Sequence, residues 1–134
     1  MAVERDLPYG SFHFDVRIGD RRRRAASGFS AVILPTMPVQ TGHADEPAAL
    51  LVLRRGFTGA LDLYEWWKQA TEPRRSRGRV VAVELLDEQR REPVTTWRFT
   101  NCRPVSLDYS PLDALGSDVL IETIALSFDA VEMS

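Results

Sequence analysis

The chain has 134 residues, 44% of them hydrophobic and 27% charged, with 17 basic against 19 acidic residues and a formal net charge of −2. That length fits one domain, the balance is that of a globular chain rather than a disordered one, and no bulk basic surplus marks a nucleic-acid binder. No apolar run approaches the ~18 residues of a membrane-spanning helix, and the charged start, residues 1–6, has no apolar core of a secretory signal, so neither is expected.

Residues 11–18 alternate strictly. Phe12, Phe14, Val16 and Ile18 fall on one face and His13, Asp15 and Arg17 on the other, the pattern of a half-buried strand. Gly19-Asp20 signals a turn before the basic run Arg21, Arg22, Arg23 and Arg24. Residues 25–34 read as a second strand, in which Gly28 marks a bulge or a close backbone approach. Pro35, Pro38, Gly42 and Pro47 make the next segment a loop. Residues 50–54 are a short apolar strand bounded by Gly56.

One helix follows, starting at Thr58 or Gly59, with Asp62 favouring its positive N-terminal end. Ala60, Leu63, Tyr64, Trp67 and Ala70 recur at three- and four-residue steps as its buried stripe, opposite Asp62, Glu65, Lys68 and Gln69. Pro73 lies beyond its end. Residues 79–86 and 94–101 are strands flanking the polar turn 87–93, a hairpin. Residues 103–109 continue as a strand and 110–117 form a loop. Residues 118–128 read as one final strand, about twice the usual ~5–6 residues. It is apolar on both faces and so needs cover on each, or a partner chain beside it.

No constellation carries catalysis. His13 sits on a polar strand face and His43 in a loop, without further ligands at metal-binding spacing. Cys102 is the single cysteine, which excludes a disulfide framework, and it reads as buried or inert. No G-x-S-x-G, phosphate loop or dinucleotide fingerprint occurs, and Gly56–Gly59 is a tight strand-to-helix turn before it is an anion site. Catalytic, cofactor-binding and metal residues are therefore expected to be none, and no cofactor is expected.

The arginine bias is strong: Lys68 is the one lysine. Codon usage is the first account and interface contact through planar guanidinium forks the second. The clusters Arg21–Arg24 and Arg74, Arg75, Arg77 and Arg79 read as solvated turns, with subunit contacts and nucleic acid as the alternatives. Trp66 and Trp67 are adjacent on the helix and cannot share a face, so one enters the core and the other is left for an interface.

Several segments in order resemble one family. Residues 54–67 (RRGFTGALDLYEWW) resemble the "LKRG-x-TG-x-LELW-x-W" stretch of tail tube proteins of the T4 type, which also form the inner tubes of contractile injection systems. Residues 8–16 resemble the opening "DPY-x-x-F-x-F-x-V", residues 28–30 the "GFSEV" segment, and residues 83–87 "V-x-LLDE". Residues 97–105 resemble "W-x-F-x-NA-x-PV", and residues 118–126 the closing "N-x-VAIET-LEL" strand. No one piece is specific; the collinear set, covering nearly the whole chain, is.

The resemblance implies a single tail-tube-like domain, 1–134. It implies a mainly β fold, a small β-barrel or sandwich with one α-helix, assembling into hexameric rings with a joint lumen-facing β-barrel. It implies a structural inner tube subunit of a contractile injection system or phage tail, in stacked rings whose lumen carries cargo, an effector protein or DNA. Sheath contraction would drive that tube through a target envelope. The implied partners are the chain itself, a sheath protein, and baseplate and cap proteins, with no membrane insertion by the subunit. Assembly would be cytoplasmic, followed by incorporation in a particle.

There is one departure: the loop 34–49 is short and lacks the family's "YREGG" and "KLPG" segments. That leaves a tube initiator or adaptor paralogue, making one ring at the baseplate or cap end, as an alternative. A reading from another class is a monomeric β-barrel module for a small ligand or single-stranded nucleic acid. Position in loops and strand ends makes Arg21, Arg22, Arg23, Arg24, Arg54, Arg55, Trp66, Pro38, Gly42 and His43 the expected interface residues.

Overall fold

The structure, a computed structural model, describes residues 5, 7–19, 28–37, 49–72 and 77–134. Along the chain these form β1 (Phe14–Ile18), β2 (Phe29–Ile33), β3 (Leu51–Gly56), α1 (Asp62–Ala70), β4 (Arg79–Leu86), β5 (Pro93–Tyr109), β6 (Ile121–Ser127) and β7 (Ala130–Met133). The fold is mainly β with one helix, as expected, and every strand pairing is antiparallel. The chain divides into two compact units, one of residues 1–27, 78–102 and 129–134, the other of residues 28–77 and 103–128. β5 contributes its first part to the former and its second part to the latter.

In the first unit the strands lie in the order β1–β4–β5–β7. Period-two alternation stacks apolar residues into rungs across all four. Ile18, Val81, Phe99 and Val131 make one rung; Val16, Val83, Trp97 and Met133 make the next. Val81 and Phe99 are fully buried. The β4–β5 hairpin closes where the Asp87 N–H donates to the Glu92 carbonyl at 3.4 Å.

The ladder slips between Arg79 and Val81, which face Cys102 and Phe99. The extra residue on β5 is taken up beside Asn101, whose φ of 53° is left-handed. Asparagine is one of the few side chains that adopts that region at low cost, and here its amide donates to Asp129 Oδ2 at 2.8 Å. Gly78 lies so close that a Cβ on it would stand 2.7 Å from the Asn101 Cα.

In the second unit the order is β2–β3–β6–β5. Leu51, Leu126 and Pro104 form one rung and Leu53, Ile124 and Leu107 the next; Leu51, Leu53, Ile124 and Leu126 are fully buried. Leu63 and Trp66, one helical turn apart, are the buried residues of α1.

Several boundaries differ from those read in the sequence. The helix begins at Asp62, not at Thr58 or Gly59, because Gly59 takes a φ of 95° that no right-handed helix accommodates. Its buried stripe is Leu63 and Trp66, while Ala60, Leu61 and Tyr64 are exposed. The expected eleven-residue last strand is a seven-residue β6, after which the chain keeps its direction antiparallel to β5 and adds β7 to the first unit. The long strand is β5, with 17 residues. The first strand is shorter than expected, and Phe12 lies before it, 69% exposed.

Candidate functional site

The third rung of the second unit is charged rather than apolar. Alternation along β3 sends Leu51, Leu53 and Arg55 to the same buried face. Arg55 is 4% exposed and lies opposite Glu122 on β6, which in turn lies opposite Tyr109 on β5. The Arg55 Nε–H donates to Glu122 Oε1 at 2.5 Å. Its two terminal nitrogens grip Asp62, Nη1 donating to Oδ2 at 3.2 Å and Nη2 to Oδ1. One planar guanidinium thus joins β3, β6 and the first residue of α1, a geometry lysine cannot reproduce.

The electrostatics follow from this packing. Burial opposes the Arg55 charge, but hydrogen bonds to Asp62 and Glu122 outweigh it and raise its pKa above the ordinary arginine value. Burial also disfavours the Asp62 carboxylate, yet the Arg55 hydrogen bonds and charge hold its pKa below the usual range. Burial and the adjacent Glu122 charge push the Tyr109 phenol up. The cluster holds two carboxylates for one guanidinium, and Glu122 Oε2 has no hydrogen-bond partner among the described residues. The helix has no side-chain cap, because its N-cap residue is Leu61, whose side chain has no acceptor; Asp62, the acid nearest its start, is engaged by Arg55.

This arrangement is a structural tie. It fixes α1 against β3 and β6 inside the second unit. The three residues come from two of the segments that carry the family resemblance, 54–67 supplying Arg55 and Asp62 and 118–126 supplying Glu122.

The expected interface residues fall in three groups. Arg21, Arg22, Arg23, Arg24, Pro38, Gly42 and His43 lie outside the described residues. Arg54 is exposed on the outward face of β3. Arg55 and Trp66 correct the sequence reading: at 4% and 3% exposure they have almost no surface to offer a partner. Arg55 turns inward because its partners are internal. Trp66 turns inward because the helix starts at Asp62 and presents the Leu63–Trp66 stripe to the sheet; Trp67 stays half-buried.

Sequence reasoning missed the apolar character of the loop 110–120. Leu112, Leu115 and Val119 are 87%, 98% and 71% exposed. The available signal was leucines in a segment otherwise made of turn residues, and such leucines carry no periodicity. Cys102 is fully buried, and burial pushes its thiol up to about 12, so it is a packing residue rather than a nucleophile. Among the described residues no three His, Cys, Asp or Glu side chains stand together as metal ligands, and no helix is long and apolar enough to cross a membrane.

This fold is that of tubes in contractile machines. The chain is similar to a chain of the sheath–tube complex of the extracellular contractile injection system PVC in its extended state, with a TM-score of 0.75, 21% identity and coverage of 96% of this chain and 93% of that one. It is similar to a chain of the tube-terminating cap of the anti-feeding prophage, with a TM-score of 0.76, 21% identity and coverage of 100% and 95%. It is also similar to Hcp1 from Flavobacterium johnsoniae, with a TM-score of 0.63, 14% identity and coverage of 92% and 95%. No curated protein sequence matched significantly. The family model of the T4-like virus tail tube protein gp19 matches residues 10–132, and the chain belongs to that family of tube proteins.

Proposed function

We propose that this chain is a structural subunit of the inner tube of a contractile injection particle or phage tail, a single tail-tube-like domain that repeats in stacked hexameric rings. The observation that carries this reading is the family match over residues 10–132, joined to a fold similar to that of injection-system tube chains. The chain works mechanically and not as an enzyme. A sheath surrounds the tube and drives it through a target envelope, a baseplate and a cap close its ends, and the lumen carries an effector protein or DNA.

The subunit is made in the cytoplasm and works as part of the particle, without inserting into a membrane itself. Sheet edges support the assembly: among the described residues β1 and β7 border the first unit, and β2 and the second part of β5 border the second, without a further strand beside them. Joining such edges between copies removes an aggregation hazard. The contact regions are Arg54 and the segments holding Arg21 to Arg24 and Pro38, Gly42 and His43.

Negative-stain microscopy of the purified chain tests the proposal. Rings or filaments are the expected result; monomers at high concentration refute it. The second reading, an initiator or adaptor at the cap or baseplate end, is favoured by the missing loop segments between residues 34 and 49 and by the likeness to chains in cap and baseplate assemblies. Rings that stack into long filaments reject that alternative.

A further inference from the structure

We infer that residues 5–13 form a strap clipped across the β4–β5 hairpin turn through a neutral His13, and that the strap lets go of the turn when His13 takes up a proton. The inference concerns the first unit alone and stands whether or not the tube reading does.

The strap is held at both ends. At its start Arg5 Nη2 donates to Glu88 Oε1 at 2.5 Å and to the Pro8 carbonyl at 3.1 Å, and the guanidinium lies 3.6 Å over the Tyr9 ring. At its end the His13 carbonyl accepts from the Leu86 N–H at 2.8 Å, and His13 Nδ1 accepts from the Arg90 Nε–H at 2.9 Å. Between them the Phe12 ring folds over Gly10, where a Cβ would stand 2.4 Å from it, and packs edge-on against His13 with centroids 4.3 Å apart. The β1–β4 ladder begins only at Phe14, so the hold on the strap rests on these few contacts.

The turn is shaped to offer the donor. Arg90 has a φ of 56°, the left-handed region that arginine rarely takes, and its N–H donates to the Asp87 carbonyl at 3.0 Å. Glycine or asparagine would hold that position at less cost. The arginine adds what they lack, a guanidinium that reaches His13.

An imidazole nitrogen that accepts a hydrogen bond carries no proton. Protonating it removes the acceptor and sets an imidazolium beside a guanidinium, two like charges at hydrogen-bond distance. The nearby acids among the described residues are already engaged. Glu88 is bound by Arg5, which holds its carboxyl below the usual range. Asp87 Oδ1 accepts from the Arg91 N–H at 3.0 Å. On the sheet face that His13 shares by alternation, Glu84 pairs with Arg17 at 2.8 Å, and Asp15 lies 3.9 Å from the same arginine. Arg91 and Glu92 complete the charges of the turn, and both are exposed. A Glu88 drawn to the imidazolium would leave Arg5, so a side-chain clip is lost in either case.

The test is peptide-resolved hydrogen exchange of the full-length chain at about pH 8 and about pH 5.5, which bracket the charge change of histidine and stay clear of the carboxylate range below about pH 4. Rates are normalised to the unstructured rate at each pH. We expect protection of residues 5–13 and of the Leu86 amide to fall by about 2- to 10-fold in acid, the worth of one hydrogen bond. His13→Gln, which keeps an acceptor and never charges, should hold its protection at both pH values. His13→Arg, charged throughout, should be loose at both. Protection that stays constant or rises in acid in the natural chain overturns the inference. So does a fall that survives in His13→Gln, which would assign it to another group, or one shared equally by the β4–β5 core around Val81 and Phe99, which would make it global.

Discussion

Replacing Arg55 by leucine isolates the energetics of the buried cluster. The substitution leaves Glu122, 1% exposed, without its 2.5 Å bond to the guanidinium and with Oε2 still lacking a partner. Asp62 fares better, because its side chain keeps 31% of its surface in solvent. The dominant cost is thus one stranded buried carboxylate, about 3–5 kcal/mol, against the ~5–15 kcal/mol of a whole domain. With an unfolding entropy of ~2.1 cal/mol/K per residue, a chain of this length loses about 3.5 °C of Tm per kcal/mol, so the midpoint falls by about 11–18 °C. The assay is guanidinium and thermal unfolding at a fixed, low protein concentration, since association between copies would add stability by mass action. The double variant Arg55→Leu/Glu122→Leu removes both buried charges and recovers to within ~2 kcal/mol of the natural chain, because an apolar pair replaces an ionic one at little net cost. A loss below ~1 kcal/mol for Arg55→Leu, or a double variant as unstable as the two singles added together, refutes this account.

The same cluster predicts acid sensitivity. Asp62 has its folded-state pKa below the unfolded value of ~3.9, so its contribution is fully present above that value and is lost as pH falls through the folded one. Urea midpoints measured from pH 7 down to pH 2 fall most steeply below about pH 4, and Asp62→Asn flattens that fall; an unchanged profile in the variant counts against the role. Asn101→Val, which must hold a β-branched side chain at a φ of 53°, costs about 1–3 kcal/mol, whereas Asn101→Gly stays within ~1 kcal/mol; equal losses in denaturant melts contradict the strain argument. Cys102, with its thiol pushed up to about 12 and no exposed surface, reacts with a thiol reagent at pH 8 only as fast as the protein opens, and labelling at the rate of a free thiol disproves its burial.

How far the sequence disclosed this molecule depends on which interactions set each element. β4 was readable to the residue, because its Val-rich run lies between a glycine and a polar turn and one of its two partners, β5, follows it directly in the chain. α1 was readable as a helix but not in its rotation. Spacing alone favoured Ala60, Leu63, Tyr64 and Trp67, yet Gly59 delays the start and Arg55 draws Asp62 toward the sheet, which carries Leu63 and Trp66 inward. Arg55 stands at a strand end, a position that reads as an interface, and the buried face of Glu122 gains meaning only with its partner known. A residue 67 positions away supplies that partner, through a β3–β6 pairing that no local window contains. The last strand failed for a related reason. Its first three residues, 118–120, lie in the loop before β6, which buries Ile124 and Leu126, and beyond its expected end the chain forms a separate short strand, β7, whose existence depends on β5 being there to pair with it. The loop before β6 is the inverse case: turn chemistry located its first part, 110–117, but Val119 reads as strand in the sequence, and only the structure shows that the loop runs on to residue 120 with Leu112, Leu115 and Val119 exposed.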